Sequence, residues 1–181
     1  GSALAHYLDE NFKDARVLVV DKFRSNETFS NGNLKSFGHF KNLLGFKGEI
    51  FAGDINCKDT LQKIADFRPD VIFHEAAISD TTVREQDELV KTNVNAFVNL
   101  LDICESGGTK MVYASSGATY GNAKSPQKVG ECEAPNNVYG FSKLAMDNIG
   151  KIYAKRGVSV VGLRYFNVYG KGEFFKNKTA S

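Results

Sequence analysis

Short apolar runs alternate with longer stretches of helical spacing along this chain. The runs Arg16–Asp21, Glu49–Ala52, Val71–His74, Lys110–Ala114 and Val158–Tyr165 read as strands. They stay apolar instead of alternating with polar residues, as strands do when helices cover both faces of a parallel sheet. Between them, apolar residues recur three and four apart. Leu4, Tyr7, Leu8 and Phe12 form one such face, and Leu61, Ile64, Ala65 and Phe67 a second. Val90, Val94, Phe97, Leu101 and Cys104 form a third, and Leu144, Ile149, Ile152 and Tyr153 a fourth. Strand and helix in alternation predict an α/β fold, a Rossmann-like doubly wound parallel sheet with right-handed crossovers. Residues 26–45, rich in Asn, Ser, Gly and Lys, read as a loop leading into a short helix.

The alternation is cut at both ends. A helix comes first, although a sheet of this kind needs its first strand in the middle, and no helix follows the last strand. The expectation is one domain over residues 1–181, a fragment of a longer chain. Lys and Arg number 23 against 21 Asp and Glu, a net charge of +2, so nothing electrostatic points to nucleic acid or an anionic membrane. No stretch approaches the roughly 18 apolar residues of a membrane helix. Cys57, Cys104 and Cys132 are odd in number and lack CxxC spacing, which reads as reduced thiols, with no disulfide framework. His6, His39 and His74 share no metal spacing with each other or with the cysteines, so no metal site is expected. The N-terminus has no basic segment followed by an apolar one, and the expected compartment is the cytoplasm.

Several positions could carry chemistry. Asp21 ends the first strand, where a carboxylate can accept bonds from the two hydroxyls of an adenosine ribose; an ordinary turn Asp is the plainer reading. Lys22 and Arg24 follow and could pair with a 2′-phosphate. Asp54 and Ile55 follow the second strand, near where an adenine edge would lie, though Asp54 reads equally as a turn or cap residue. Glu75, Ala76, Ala77, Ile78 and Ser79 leave the third strand, and their small side chains permit a ligand, or simply tight packing, against the backbone.

The strongest constellation combines Ser116, at the end of a buried strand, with Tyr139 and Lys143, four apart on a helix and hence on one face. A phenol has a pKa of about 10 and needs a neighbouring cation to act as a base near neutrality. Lys143 can supply that charge, and Ser116 can hold a substrate oxygen. Asn167, after the last strand, could donate to a substrate or cofactor, or tie down its own loop. His74, in an apolar strand, reads as a satisfied core residue. The order of Ser106–Lys110 is not that of a P-loop, and neither Ser115 nor Ser116 lies in a G-x-S-x-G elbow.

Ser116, Tyr139 and Lys143, with residues 75–79, Asn93 and residues 164–170, resemble the extended short-chain dehydrogenase/reductase superfamily. Within it, residues 21–23, 36–43 and 174–181 resemble the ADP-glyceromanno-heptose 6-epimerases of Gram-negative bacteria. That resemblance implies tightly held NADP, with NAD also compatible, and an ADP-heptose substrate inverted at C6″ for the inner core of lipopolysaccharide. It implies two bases, Tyr139 and Lys176, with Ser116, Asn167 and Lys178 at the substrate. The implied cofactor contacts are Gly1, Asp21, Lys22, Asp54, Ile55, Glu75, Ala76, Ala77, Ile78, Ser79, Asn93, Lys143, Val168 and Lys176. A homo-oligomer is expected at full length.

The family's glycine-rich turn, apart from Gly1, and its C-terminal substrate domain have no counterpart here, so this polypeptide alone is expected to be inactive. A UDP-hexose 4-epimerase is the nearest rival reading. Gly117, Ala118 and Thr119 supply no carboxylate pair for a dehydratase. A non-catalytic dinucleotide-binding module is the remote alternative.

Overall fold

A computed structural model describes residues 1–173; Lys176 and Lys178 lie outside the described residues. Helix α1 (Ser2–Asn11) precedes β1 (Leu18–Asp21), and a 3-10 turn (Phe40–Leu43) precedes β2 (Glu49–Ala52). Then come α2 (Lys58–Phe67), β3 (Val71–His74), α3 (Gln86–Val90), a π-helical turn (Lys91–Asn95) and α4 (Ala96–Gly107). β4 (Lys110–Ser116), a 3-10 turn (Gly117–Tyr120), α5 (Val138–Lys155) and β5 (Val160–Tyr165) complete the order.

Among the described residues the named strands all pair in parallel, with β1 on β2 and β4 between β3 and β5. No ladder joins β1 to β3 among the described residues. The fold is α/β and Rossmann-like, as expected. The strands sit where the apolar runs put them, except that β4 runs on to Ser116 and β1 and β5 each start two residues late.

One core packs the sheets against α2, α4 and α5. Val20, Ile72, Met111, Tyr113 and Val160 meet Ile64, Phe97, Leu100, Leu101, Cys104 and Met146 there. Alternate strand residues face the other way, and Phe73, Val161 and Leu163 remain 40 to 49% exposed. A smaller core gathers Phe29, Ile78, Val83 and Leu89, so residues 26–45 are more than a loop. This segment is stitched to residues 78–88 by Lys35 on Glu88 (2.6 Å), Asn33 on Asp80 (2.7 Å) and the Ser30 amide on Glu85 (2.6 Å).

Three helix faces differ from expectation. In α1 only Ala5 is buried; Tyr7 and Phe12 lie outside, their rings packed edge to face with centroids 6.3 Å apart. The π turn inserts an extra residue, rotating what precedes it by about 100°. Leu89 and Asn93 therefore face inward in place of Val90 and Val94. In α5 the buried stripe runs through Gly140, Lys143, Met146, Asp147, Gly150 and Tyr153, while Ile152 is 51% exposed.

Candidate active site

β4 delivers Ser116 to the C-terminal rim of the sheet, beside Tyr165 of β5 in the parallel register. Asn137 caps α5 by accepting from the Gly140 amide at 2.8 Å, so the helix begins with Tyr139 in its first turn. Burial raises the Tyr139 pKa above the ordinary phenol range, and the nearby Ser116 hydroxyl works against that rise. Lys143, one turn along, is 1% exposed; its Nζ lies 5.9 Å from the Tyr139 ring centroid and donates to the Ala114 carbonyl at 2.7 Å. Burial pushes the Lys143 ammonium down to about 8, against the pull of Glu75 and then Asp147. The three groups expected to meet lie together, with the ammonium over the ring and the Ser116 hydroxyl near the phenol.

Segment 75–79 leaves β3 next to this cluster. Ala76 and Ser79 are exposed and Ile78 is buried. The Asn93 side chain, 0% exposed, spends itself on backbone: it accepts from the Ile78 amide at 2.8 Å and donates to the Ile78 carbonyl at 3.0 Å. It also reaches the Ser142 hydroxyl at 3.0 Å. It thus holds segment 75–79 against α5, and a ligand on that segment would touch backbone that Asn93 has placed. His74 is buried as expected and stacks on Phe97, but its Nε2 has no hydrogen-bond partner among the described residues, so it is not the satisfied core histidine anticipated. Burial, with the Lys143 charge adding, lowers its pKa to about 3, so it stays neutral.

At the end of β1, Asp21 Oδ1 accepts from the Phe23 amide at 2.6 Å, and Phe23 takes a left-handed φ of 56° to make that turn. Gly38 backs onto the same carboxylate: a Cβ there would lie 2.1 Å from Oδ1. Lys22 pairs with Asp54 at 3.3 Å and Glu27 at 3.7 Å. Asp54 makes an Asx turn, accepting from the Asn56 amide at 2.9 Å. Burial opposes its ionisation, yet the bonds from Asn56 and Lys22 prevail and draw its pKa down. Ile55 beside it is buried. His39, next to Gly38, has a depressed pKa, from desolvation first and then from the Arg24 and Lys41 cations, so those two charges lie near its ring.

Gly1 caps α1 through its carbonyl, which accepts from the Ala5 amide at 3.0 Å. Asn167 and Val168 are exposed just beyond β5. Asp147, Arg164 and Glu133, interlocked beneath Tyr139 and Lys143, escaped the sequence reading as a group, because charged residues at helical or strand positions usually mark solvent. A hollow lined by Arg68, Asp70, Ser106 and Lys110 lies at the opposite end of β4 and shares no residue with this site. Among the described residues no helix is long and apolar enough to cross a membrane.

Parallel strands with a small-residue segment at their C-terminal rim, beside the Ser–Tyr–Lys cluster, give a Rossmann-like fold of the short-chain dehydrogenase type. The chain belongs to the NAD dependent epimerase/dehydratase family, whose pattern matches residues 1–181. It is 37% identical over 171 residues to an ADP-L-glycero-D-manno-heptose-6-epimerase of Brachyspira hyodysenteriae, covering 91% of this chain and 50% of that protein. The same-named enzyme of Thiobacillus denitrificans is 34% identical over 151 residues, covering 82% and 46%. The crystal structure of the Helicobacter pylori ADP-L-glycero-D-manno-heptose-6-epimerase superposes with a TM-score of 0.90 at 51% identity, covering all of this chain and 56% of that one. A Thermotoga maritima UDP-glucose 4-epimerase solved with UDP-glucose gives 0.81 at 29% identity, covering 96% and 54%. The resemblance to ADP-heptose epimerases is borne out by these relatives, of whose length the chain spans about half.

Proposed function

We propose that this chain is the dinucleotide-binding part of an ADP-glycero-manno-heptose 6-epimerase, inverting C6″ of ADP-D-glycero-D-manno-heptose in the cytoplasm. The observation that carries the reading is buried Lys143 one helical turn from Tyr139, its Nζ 5.9 Å from the phenol ring, with the Ser116 hydroxyl near the same phenol. Identity of 51% to the H. pylori enzyme, against 29% to the UDP-glucose 4-epimerase, favours the heptose substrate over a UDP-hexose. The three free thiols fit a reducing compartment.

The residues suit a nicotinamide dinucleotide. Ala76 and Ser79 leave backbone open at the sheet's rim, and Asn93 fixes that backbone at Ile78. The Arg24 and Lys41 charges, which reach His39 next to the Gly38 that backs onto Asp21, favour NADP, since a 2′-phosphate would meet cations there. Gly1, Asp21, Lys22, Asp54, Ile55, residues 75–79, Lys143 and Val168 are the proposed cofactor contacts, and Lys176 another.

When bound, the dinucleotide supplies a hydride acceptor and donor for the sugar carbon. Ser116 orients the C6″ oxygen through its hydroxyl. Tyr139 removes that oxygen's proton, and Lys143 lowers the cost of the phenolate with its positive charge. Lys176 serves as the second base and Asn167 and Lys178 hold the substrate. With about half of its relatives' length, the isolated chain is expected to lack turnover.

The test is incubation of the full-length enzyme with ADP-D-glycero-D-manno-heptose, resolving the two epimers by chromatography, and identification of the nucleotide released on denaturation. Conversion that falls by about 10²–10⁴ in Tyr139→Phe, with a 2′-phosphorylated dinucleotide released, supports the reading. Turnover of UDP-galactose in its place would overturn it.

A further inference from the structure

Beneath the Ser–Tyr–Lys cluster lies a charged network that these catalytic roles do not use. Arg164 projects from β5 with its side chain 8% exposed. Its Nε donates to Asp147 Oδ2 at 2.9 Å, and its Nη2 lies 2.8 Å from the same oxygen and 2.9 Å from Glu133 Oε1. The guanidinium also sits 4.7 Å from the Tyr120 ring centroid. Tyr113 of β4 closes the other side, donating to Asp147 Oδ1 at 2.8 Å. The path for that hydroxyl is kept open by glycine: a Cβ at Gly162 would come within 2.4 Å of it.

Two carboxylates around one guanidinium leave a negative charge over. Burying such a group costs more than packing apolar side chains in the same volume, so its presence calls for a role other than stability. Lys143 lies four residues before Asp147 on α5, and its bond to the neutral Ala114 carbonyl brings no counter-charge. We propose that Asp147, Arg164 and Glu133 form a positioning cluster whose surplus negative charge keeps Lys143 in its ammonium form beside Tyr139.

The other groups facing Lys143 leave this work to be done. Tyr139 on its own helix is neutral in its resting form, and Tyr113 on β4, its pKa raised by burial and by Asp147, is neutral too. His74 on β3 carries no charge. Glu75 pulls in the same direction as Asp147, and more strongly, but it heads the segment that receives the cofactor. Asp147 is held in place by Tyr113 and Arg164, so its position does not depend on what occupies the site. Glu133 lies on the connection leading into α5 and ties it to β5. The Gly130 amide first, and Arg164 with it, outweigh the cost of burial and draw its carboxylate down to about 2, so it stays charged.

This inference rests on the epimerase reading only in giving Lys143 a task; the charge argument stands by itself. The test uses the full-length enzyme labelled with 13C at lysine Cε, the Lys143 resonance being assigned by its loss in Lys143→Arg. Glu133→Gln, which keeps the shape of the side chain, should lower the Lys143 titration midpoint by about half a unit or more, and Asp147→Asn by more than that. The alkaline limb of kcat should move the same way, with KM for the sugar changed less than about twofold. Glu131→Gln, on the same connection but exposed and 3.8 Å from Lys128, should leave the midpoint in place. An unmoved Lys143 midpoint in folded Glu133→Gln overturns the proposal even if activity drops. A shifted midpoint in an enzyme that converts no ADP-heptose supports the charge cluster and sinks the epimerase reading instead.

Discussion

Lys143 is an amine held where water would normally hold its charge. In the folded chain it loses its proton near pH 8, against about 10.4 in an unfolded one. Between those values the unfolded chain binds more protons, so Lys143 contributes increasing stability as pH rises through that window. Activity that needs the ammonium runs the other way and falls about tenfold per unit above 8. Urea titrations should therefore show Lys143→Met more stable than the parent at pH 7, with an advantage that shrinks towards pH 10; a constant advantage would contradict the buried-ammonium picture. His74 works at the acid end. Its folded pKa near 3 lies below the ordinary 6.5, so protonation favours the unfolded chain and stability declines as pH drops from 6.5 towards 3. His74→Phe should flatten that decline in a thermal-melt series between those pH values. At this scale the triad was legible before any coordinates, because a strand-end Ser and a four-residue Tyr–Lys spacing imply their own geometry. The partners of Lys143 were not, since Asp147, Arg164 and Glu133 are distant in sequence and become a unit only by packing.

The helices carry the lesson about periodicity. α5 buries Lys143 and Asp147 on the stripe that meets β4 and β5, and leaves Ile152 outside. A pattern of apolar residues finds the face that excludes water, but a site-forming helix turns polar residues inward and breaks the pattern where function lies. The π turn at Lys91–Asn95 did the same to the longer helix: the added residue aims Asn93 at segment 75–79, and a strict 3.6 spacing misses the rotation. Asn93→Ala would leave the Ile78 amide and carbonyl buried without partners. It should cost about 2–4 kcal/mol in urea unfolding and weaken dinucleotide binding by more than Asn95→Ala, an exposed neighbour on the same turn.

Across the whole molecule, the sheet bears its load unevenly. Among the described residues, β4 has a parallel neighbour on either side and the main core beneath it, whereas β1 has only β2 beside it. Amides of Met111–Ser115 should therefore exchange with deuterium at least about tenfold more slowly than those of Leu18–Asp21, as read by mass spectrometry of the intact chain. By itself the sequence determined the strands, the α/β class and the Ser116–Tyr139–Lys143 set, because these rest on local periodicity and on short spacings along single elements. Only the tertiary structure decided which helix faces are buried, that residues 26–45 fold over segment 78–88 and Asp21, and that an Asp–Arg–Glu network lies under Lys143. Those features depend on contacts between residues far apart along the chain, and such contacts leave no periodic trace in the order of amino acids.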